Sequence, residues 1–274
     1  MVIAVDNRET MNVPEITREK LRHKPSAVLL DADNTLFAYE FPHAQASAAV
    51  EKCVLADFGI PPAEFRSALK KGRAAIKERL GPVASSHSRL LYFQNTLEFL
   101  GYKSQIATCV ALEQTYWRTF LLNAQLFPGA RDFLDSLRSA EITTCLVTDL
   151  TAQIQFRKLI YFNLEHSFDY VVTSEEAGRD KPNPEPFKCA CEKLQIGDKE
   201  TVWMIGDNPN TDIAGARQHM NALTFQKIHP GVSPGKGLTA ADITFKEFTE
   251  LLPLLSQWQH KTFNESEHSA FSLS

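Results

Sequence analysis

The sequence lacks the features that mark several large classes of protein. Its five cysteines, Cys53, Cys109, Cys145, Cys189 and Cys191, form an odd set without paired CxxC spacing, which argues against a disulfide framework. On a helix the side chains of Cys189 and Cys191 would diverge by about 200°, so they make a poor metal pair. The cysteines read as reduced packing residues. His43, His87, His166 and His219 are scattered along the chain, and no zinc constellation emerges. Positive charge is not in surplus: 29 Lys and Arg stand against 33 Asp and Glu, a formal net charge of -4. That balance gives no support for a nucleic-acid surface and leaves small anions open as substrates. No stretch approaches the roughly 18 uninterrupted apolar residues of a membrane helix. The opening from Met1 to Lys24 is polar and mixed in charge, unlike a secretory leader. The expectation is a cytoplasmic protein with no membrane partner.

At 274 residues and 43% hydrophobic composition, the chain can bury a core of one large or two modest domains, and two is the reading adopted. The most informative stretch is Asp31-Ala32-Asp33-Asn34-Thr35-Leu36, directly after the apolar run Ala27-Val28-Leu29-Leu30. In an extended segment alternate side chains share a face, so Asp31 and Asp33 can address one reacting group while Ala32 points away. One carboxylate can attack and the other can move protons, which suits phosphoryl transfer. A solvated acidic turn with an Asx bond to backbone would carry the same hexapeptide.

Three downstream segments weigh on that choice. Thr148 closes the run Ile142-Thr143-Thr144-Cys145-Leu146-Val147 and offers a hydroxyl to a phosphate oxygen. Lys181 sits in Arg179-Asp180-Lys181-Pro182-Asn183-Pro184, where the prolines bar a helix through the segment and fix the lysine beside the start of the next one. Val202-Trp203-Met204-Ile205 then runs into Gly206-Asp207-Asn208-Pro209-Asn210-Thr211-Asp212, two acids across a tight turn that can hold a divalent cation.

Together these four segments resemble the haloacid dehalogenase superfamily, in which a nucleophilic aspartate, a threonine, a lysine and paired acids follow successive strands in this order. The resemblance implies that Asp31 is the nucleophile and Asp33 the general acid and base, with Thr148 and Lys181 on the phosphate. It implies Mg2+ as cofactor, held by Asp31, Asp33, Asp207 and Asp212. Asp212 would bind the metal directly or through water, or cap the following helix. Within the superfamily the residue two after the nucleophile separates reaction classes, and phosphatases and phosphomutases keep the aspartate found here as Asp33. The run Thr148 to Leu159 is similar to a capped branch that includes phosphoglycolate and sugar-phosphate phosphatases, and the resemblance implies a phosphate-binding place for Asp149 as well, although asparagine is common after the threonine. The expected activity is Mg2+-dependent hydrolysis of a small phosphorylated metabolite through an aspartyl phosphate. A phosphomutase using the same residues, or an idle relative serving as a binding or scaffold protein, are the alternatives.

Strand-like runs at Ala27-Asp31, Ile142-Thr148, Asp169-Thr173, Val202-Gly206 and Ala222-Phe225 alternate with helical patterns. They predict an α/β fold with a mostly parallel, Rossmann-like sheet whose catalytic groups gather at the carboxyl ends of the strands. A loop from Gly231 to Gly237 precedes a final strand and helix. Residues 38–125 show no comparable strand but repeats such as Val50, Val54 and Phe58, broken at Gly59 and Gly81, which predict about four helices. The domain reading is therefore a core of residues 1–37 and 126–258 with an inserted helical cap at 38–125, the cap being what the resemblance implies for this position.

Within that cap, the loop Gly81 to Arg89 offers donors in Ser86, His87 and Arg89, with Arg89 suited to a bidentate oxyanion contact. The bland reading is also open: Ser86 as a helix N-cap, His87 and Arg89 on a solvated face. Gln153, Gln155, Arg157 and Lys158 interleave with Ile154, Phe156, Leu159 and Ile160, the pattern of a helix half buried on the sheet, and are read as structural. The polar tail, residues 259–274, is expected to be poorly ordered, and its sequon at Asn264 is read as chance. Residues 1–24 lie outside the motifs and could pack on the core or on a second subunit, which leaves a homodimer open.

Overall fold

A computed structural model describes residues 15–197 and 200–258. The tail at 259–274, its sequon and most of the opening segment lie outside the described residues. Six strands form one parallel sheet: β1 (Ala27–Leu30), β2 (Thr143–Thr148), β3 (Tyr170–Thr173), β4 (Val202–Gly206), β5 (Leu223–Lys227) and β6 (Ile243–Phe245). Their spatial order is β3-β2-β1-β4-β5-β6. β1 is central, with Leu30 in register with Leu146 of β2 and Ile205 of β4.

The unbroken apolar run of β1 follows from burial on both faces, since a parallel strand covered on each side has no solvent side for polar residues. All four of its residues are fully buried. Val28 and Leu30 belong to one core cluster with Leu146, Trp203 and Ile205, while Ala27 and Leu29 belong to another with Cys145, Val147 and Met204. This is the period of two expected of a strand. The first face is covered by α6 (Ala130–Ser139) through Phe133 and Leu137, and the second by α9 (Pro184–Leu194) through Phe187 and Ala190. The cysteines are all free, and Cys109 and Cys145 are buried as packing residues.

Among the described residues there are ten α-helices, of which α1 is Glu15–Lys20. Between β1 and β2 come α2 (Glu40–Phe58), α3 (Pro62–Leu80), α4 (Arg89–Phe99) and α5 (Ile106–Asn123). They pack around Val50, Phe65, Phe93, Trp117 and Phe120. Gly72 lets α3 approach α4: a Cβ there would lie 3.1 Å from the Thr96 backbone nitrogen and 2.9 Å from its hydroxyl. The segment read as a loop at 81–89 contains a 3-10 turn, Ala84–His87, and the cap of α4 is Ser88, whose Oγ accepts from the Leu91 N–H at 3.3 Å. Behind the sheet motifs lie α7 (Ala152–Tyr161), α8 (Ser174–Ala177) and α10 (Ala214–Met220). Among the described residues no helix is long and apolar enough to cross a membrane.

Candidate active site

The strand order reverses direction about β1, and in open parallel sheets the crevice at the carboxyl ends beside such a switch is where ligands bind. The sequence motifs converge there. Asp31 follows β1 directly, its N–H donating to the Ile205 carbonyl at 2.9 Å, so the ladder holds its backbone one residue past the strand. Its side chain takes Lys181 Nζ on Oδ1 at 2.7 Å and the Thr35 hydroxyl on Oδ2 at 3.0 Å. Lys181 Nζ also sits 2.7 Å from Asp212 Oδ1 and donates to the Val147 carbonyl at 2.8 Å. Asp212 Oδ2 accepts the Asn208 N–H at 3.0 Å, across the turn that leads into a π-helical segment, Pro209–Ile213.

Asp31, Asp207 and Asp212 each offer a carboxylate oxygen, and these three atoms lie within 4.8 Å of one another. Gly206 makes the approach of Asp212 feasible, because a Cβ at that position would lie 2.5 Å from Asp212 Oδ2 and 2.6 Å from its Cγ. The electrostatics reflect three acids and one ammonium out of water. Burial pushes the Asp31 carboxyl up to about 6, with Lys181 pulling against it and Asp212 adding to it. Asp207 is pushed up to about 9, first by burial and then by Asp212 and Asp31. Burial works against the charge of Lys181, but Asp212, Asp31 and Asp149 hold its proton well above the usual lysine range.

Asp33 lines the same crevice, but its carboxylate is not one of the three that draw together. Lys158 Nζ of α7 takes both of its oxygens, at 2.7 and 2.8 Å, and Gln155 Nε2 adds a bond to Oδ2 at 3.1 Å. The cation and amide hold the Asp33 carboxylate against α7. Gln155 Nε2 also donates to Thr148 Oγ1 at 2.6 Å and to the Asp149 carbonyl at 2.7 Å. Sequence reasoning missed Gln155 and Lys158 as site residues. They are 1% and 2% exposed whereas Phe156 and Ile160 on the same helix are 48% and 61% exposed, so these two polar residues turn inward beside Ile154 and Leu159.

Thr148 ends β2 at the crevice. Asp149 accepts the Lys181 N–H on Oδ1 at 3.0 Å, and burial pushes its carboxyl up to about 6 against the pull of Lys181. A cavity of about 380 Å³ is lined by Asp31, Asp33, Thr148, Asp149, Lys181, Asp207 and Asp212 together with Arg73, His87 and Arg89 from the helical insertion. His87 Nε2 lies 2.9 Å from Asp180 Oδ2, and the Asp180 N–H donates to the Pro82 carbonyl at 3.0 Å, so insertion and core meet directly over the crevice. Ser86 is not among the lining residues. Its 3-10 turn buries it under Tyr92, whose hydroxyl donates to the Ser86 carbonyl at 2.5 Å.

The parallel α/β sheet holds Lys181 between Asp31 and Asp212 at the carboxyl ends of its central strands, the arrangement of a ligand crevice in a doubly wound fold. A family model described as haloacid dehalogenase-like hydrolase matches residues 25–219. A ribulose-1,5-bisphosphate 5-phosphatase of Halopiger xanaduensis is 35% identical over 205 residues, 74% of this chain and 83% of that protein. A glyceraldehyde 3-phosphate phosphatase of Methanocaldococcus jannaschii is 28% identical, over 83% of this chain and 96% of its own length. Among solved structures, a HAD phosphatase from Thermococcus onnurineus shares the fold with a TM-score of 0.62, covering 84% of this chain and 97% of that one at 22% identity. The chain belongs to the haloacid dehalogenase-like hydrolases, in their phosphatase branch.

Proposed function

We propose that the protein is a Mg2+-dependent phosphatase that hydrolyses a small sugar phosphate or similar metabolite through an aspartyl phosphate on Asp31, with the helices of residues 38–125 acting as a cap. The observation that carries this reading is the Lys181 ammonium 2.7 Å from both Asp31 and Asp212, beside a third acid, Asp207, at the mouth of the sheet. The named substrates of the relatives, ribulose 1,5-bisphosphate and glyceraldehyde 3-phosphate, support the substrate class.

The three-carboxylate set fits a hard divalent cation: its donors are all oxygen, and the rise of Asp207 to about 9 reflects first its burial and then the crowding of Asp212 and Asp31, a crowding that a cation relieves. Asp31, Asp207 and Asp212 would hold it, and when bound it supplies positive charge against the phosphate oxygens. Lys181 supplies further positive charge and keeps the Asp31 oxygen oriented. Asp31 attacks phosphorus and the bond from phosphorus to the ester oxygen breaks, while Asp33 gives that oxygen its proton and the alcohol leaves. Water then attacks the same phosphorus, Asp33 takes its proton, and the bond to Asp31 breaks to release inorganic phosphate. Thr148 Oγ1 donates to a phosphate oxygen. Insertion residues above the crevice exclude bulk water from the acyl phosphate.

A phosphatase screen over sugar phosphates, with and without Mg2+, tests the reading. Expected is Mg2+-dependent release of inorganic phosphate that disappears in Asp31→Asn. Release that Asp31→Asn leaves unchanged, or none from any monoester, would overturn it.

A further inference from the structure

Helix α3 carries Arg66, Lys70, Arg73 and Lys77 at spacings of four, three and four. That spacing lays four cations on one helix face, where like charges on adjacent turns repel and weaken the helix. The face turns towards a second cavity of about 320 Å³ between the helices of the insertion, lined by Arg66, Lys70 and Arg73 and, across from them, by Arg89. Arg73 and Arg89 line this cavity and the catalytic one alike, so the two spaces adjoin at that pair. Arg66 is neutralised by Glu51, 2.7 Å away. Among the described residues no carboxylate forms an ion pair with Lys70, Arg73, Lys77 or Arg89.

Arg89 is instead held by neutral groups. Its guanidinium donates to the Tyr39 hydroxyl and, at 2.8 Å, to the His87 carbonyl, and lies 5.5, 5.1 and 5.4 Å from the ring centres of Tyr92, Tyr116 and Trp117. Such partners fix the orientation of a guanidinium without cancelling its charge. Neighbouring groups register the uncancelled field: burial and then Arg89 lower the proton affinity of His43, and burial and then Arg73 lower that of Lys77. A half-enclosed space with several cations and one acid favours an anion.

We infer that this cavity binds a second anionic group of the substrate, a phosphate or carboxylate remote from the ester being cleaved, between Arg73 and Arg89. This inference rests on the phosphatase reading for the position of the reacting phosphate at Asp31. It narrows the substrate class to bisphosphates and phosphorylated acids. Lys70 and Lys77 add field along the same face, and the tyrosines around Arg89 hold its fork still.

The test is calorimetric binding to the full chain carrying Asp31→Asn, with Mg2+ present, using pentane-1,5-diol bisphosphate, 5-(phosphonooxy)pentanoic acid and pentyl phosphate. The probes share a chain length and differ in the second anion. A charge-assisted contact predicts that one or both doubly anionic probes bind about 30-fold tighter than pentyl phosphate. A larger gain for the bisphosphate assigns the cavity to phosphate, and a larger gain for the acid assigns it to carboxylate. Adding Arg73→Glu should reduce the gain to about threefold or less, and Arg73→Lys should restore part of it. Equal affinities for all three probes, or a gain that Arg73→Glu leaves intact, would overturn the inference. Equal affinities with phosphate release by the unmutated protein remove the second-anion site and leave the phosphatase. A gain that Arg73→Glu abolishes, in a protein that cleaves no ester, keeps the anion site and removes the phosphatase.

Discussion

Lys158 Nζ reaches both carboxylate oxygens of Asp33, at 2.7 and 2.8 Å, across 125 residues of sequence. The lysine is almost wholly buried, and burial lowers its proton affinity while Asp33 supports it. The pair holds Asp33 in one orientation, with Gln155 completing the grip. A residue that both gives and takes a proton in the proposed cycle depends on such orientation, which makes Lys158 a positioning residue.

Replacing Lys158 with Met should lower kcat by about 10²-fold, the scale of a misaligned acid–base group, with a smaller change in KM. Lys158→Arg should keep part of kcat and move the alkaline limb of the pH–rate profile upward, since arginine keeps its proton where this buried lysine loses it. Stability should run the other way. With the folded-state pKa below the unfolded 10.5, the unfolded chain holds the proton more tightly in that window, so this group adds stability as pH rises through it. Steady-state kinetics and thermal melts from pH 7 to 10 check both trends, and an unmoved alkaline limb in the arginine variant would remove the positioning role.

Metal binding should be strongly pH-dependent. Asp207 is pushed up to about 9 in the metal-free site, so at neutral pH a cation must displace a proton to use its carboxylate. Mg2+ affinity should then rise by up to about tenfold per pH unit from 6 towards 9. The sign for stability follows from the same shift. The folded state binds this proton more tightly than the unfolded chain, so metal-free stability falls as pH rises from about 4 to about 9. The Mg2+-induced increase in Tm should be larger at pH 9 than at pH 6. Calorimetry in buffers of different ionisation enthalpy should register about one proton released per Mg2+ bound at pH 7, and none released would contradict the shift.

The closeness of Gly206 to Asp212 gives a purely steric test. An alanine Cβ would overlap the Asp212 carboxylate, 2.5 Å from its Oδ2, and β4 is buried along its whole length, so the strand cannot give way. Asp212 must move, and Lys181 loses one of its two carboxylate partners. Gly206→Ala should cost about 1–3 kcal/mol of stability and more than about 10²-fold in activity. Thermal melts alongside phosphate release decide it, and near-normal activity would show that Asp212 is dispensable.

The sheet was legible because buried parallel strands must be continuously apolar, and three of those runs lead into a residue with chemistry: Asp31, Thr148 and Asp207. The acids and Lys181 were legible because strand ends and prolines confine their positions. Gln155 and Lys158 were not, because a helix is read from its apolar stripe, and α7 buries its polar pair while exposing Phe156 and Ile160. That reversal is itself the signal: two polar residues at i and i+3, the first seven residues after a strand-end threonine, turned inward against the amphipathic rule. The basic face of α3 was not read from the sequence, because only the fold shows that Arg89 closes the cavity across from it. The burial of Ser86 was not legible, since a 3-10 turn encloses a side chain that a loop would expose.

Asp149 offers a last test, because it puts an acid where the phosphate site needs donors. Its Oδ1 already accepts the Lys181 N–H, and burial pushes its carboxyl up to about 6. Below that pH the group is neutral; above it, a carboxylate faces the incoming phosphate dianion. Asparagine keeps the acceptor oxygen for the Lys181 N–H and removes the charge. Asp149→Asn should therefore leave inhibition by inorganic phosphate nearly unchanged at pH 5 and strengthen it several-fold at pH 8, a change of about 1 kcal/mol for one screened like-charge contact. The Ki of inorganic phosphate against an aryl phosphate substrate, measured across that range, reads the difference directly. A uniform change at both pH values would mean that Asp149 acts only by holding the Lys181 backbone, and the charge on its carboxyl would have no part in phosphate affinity.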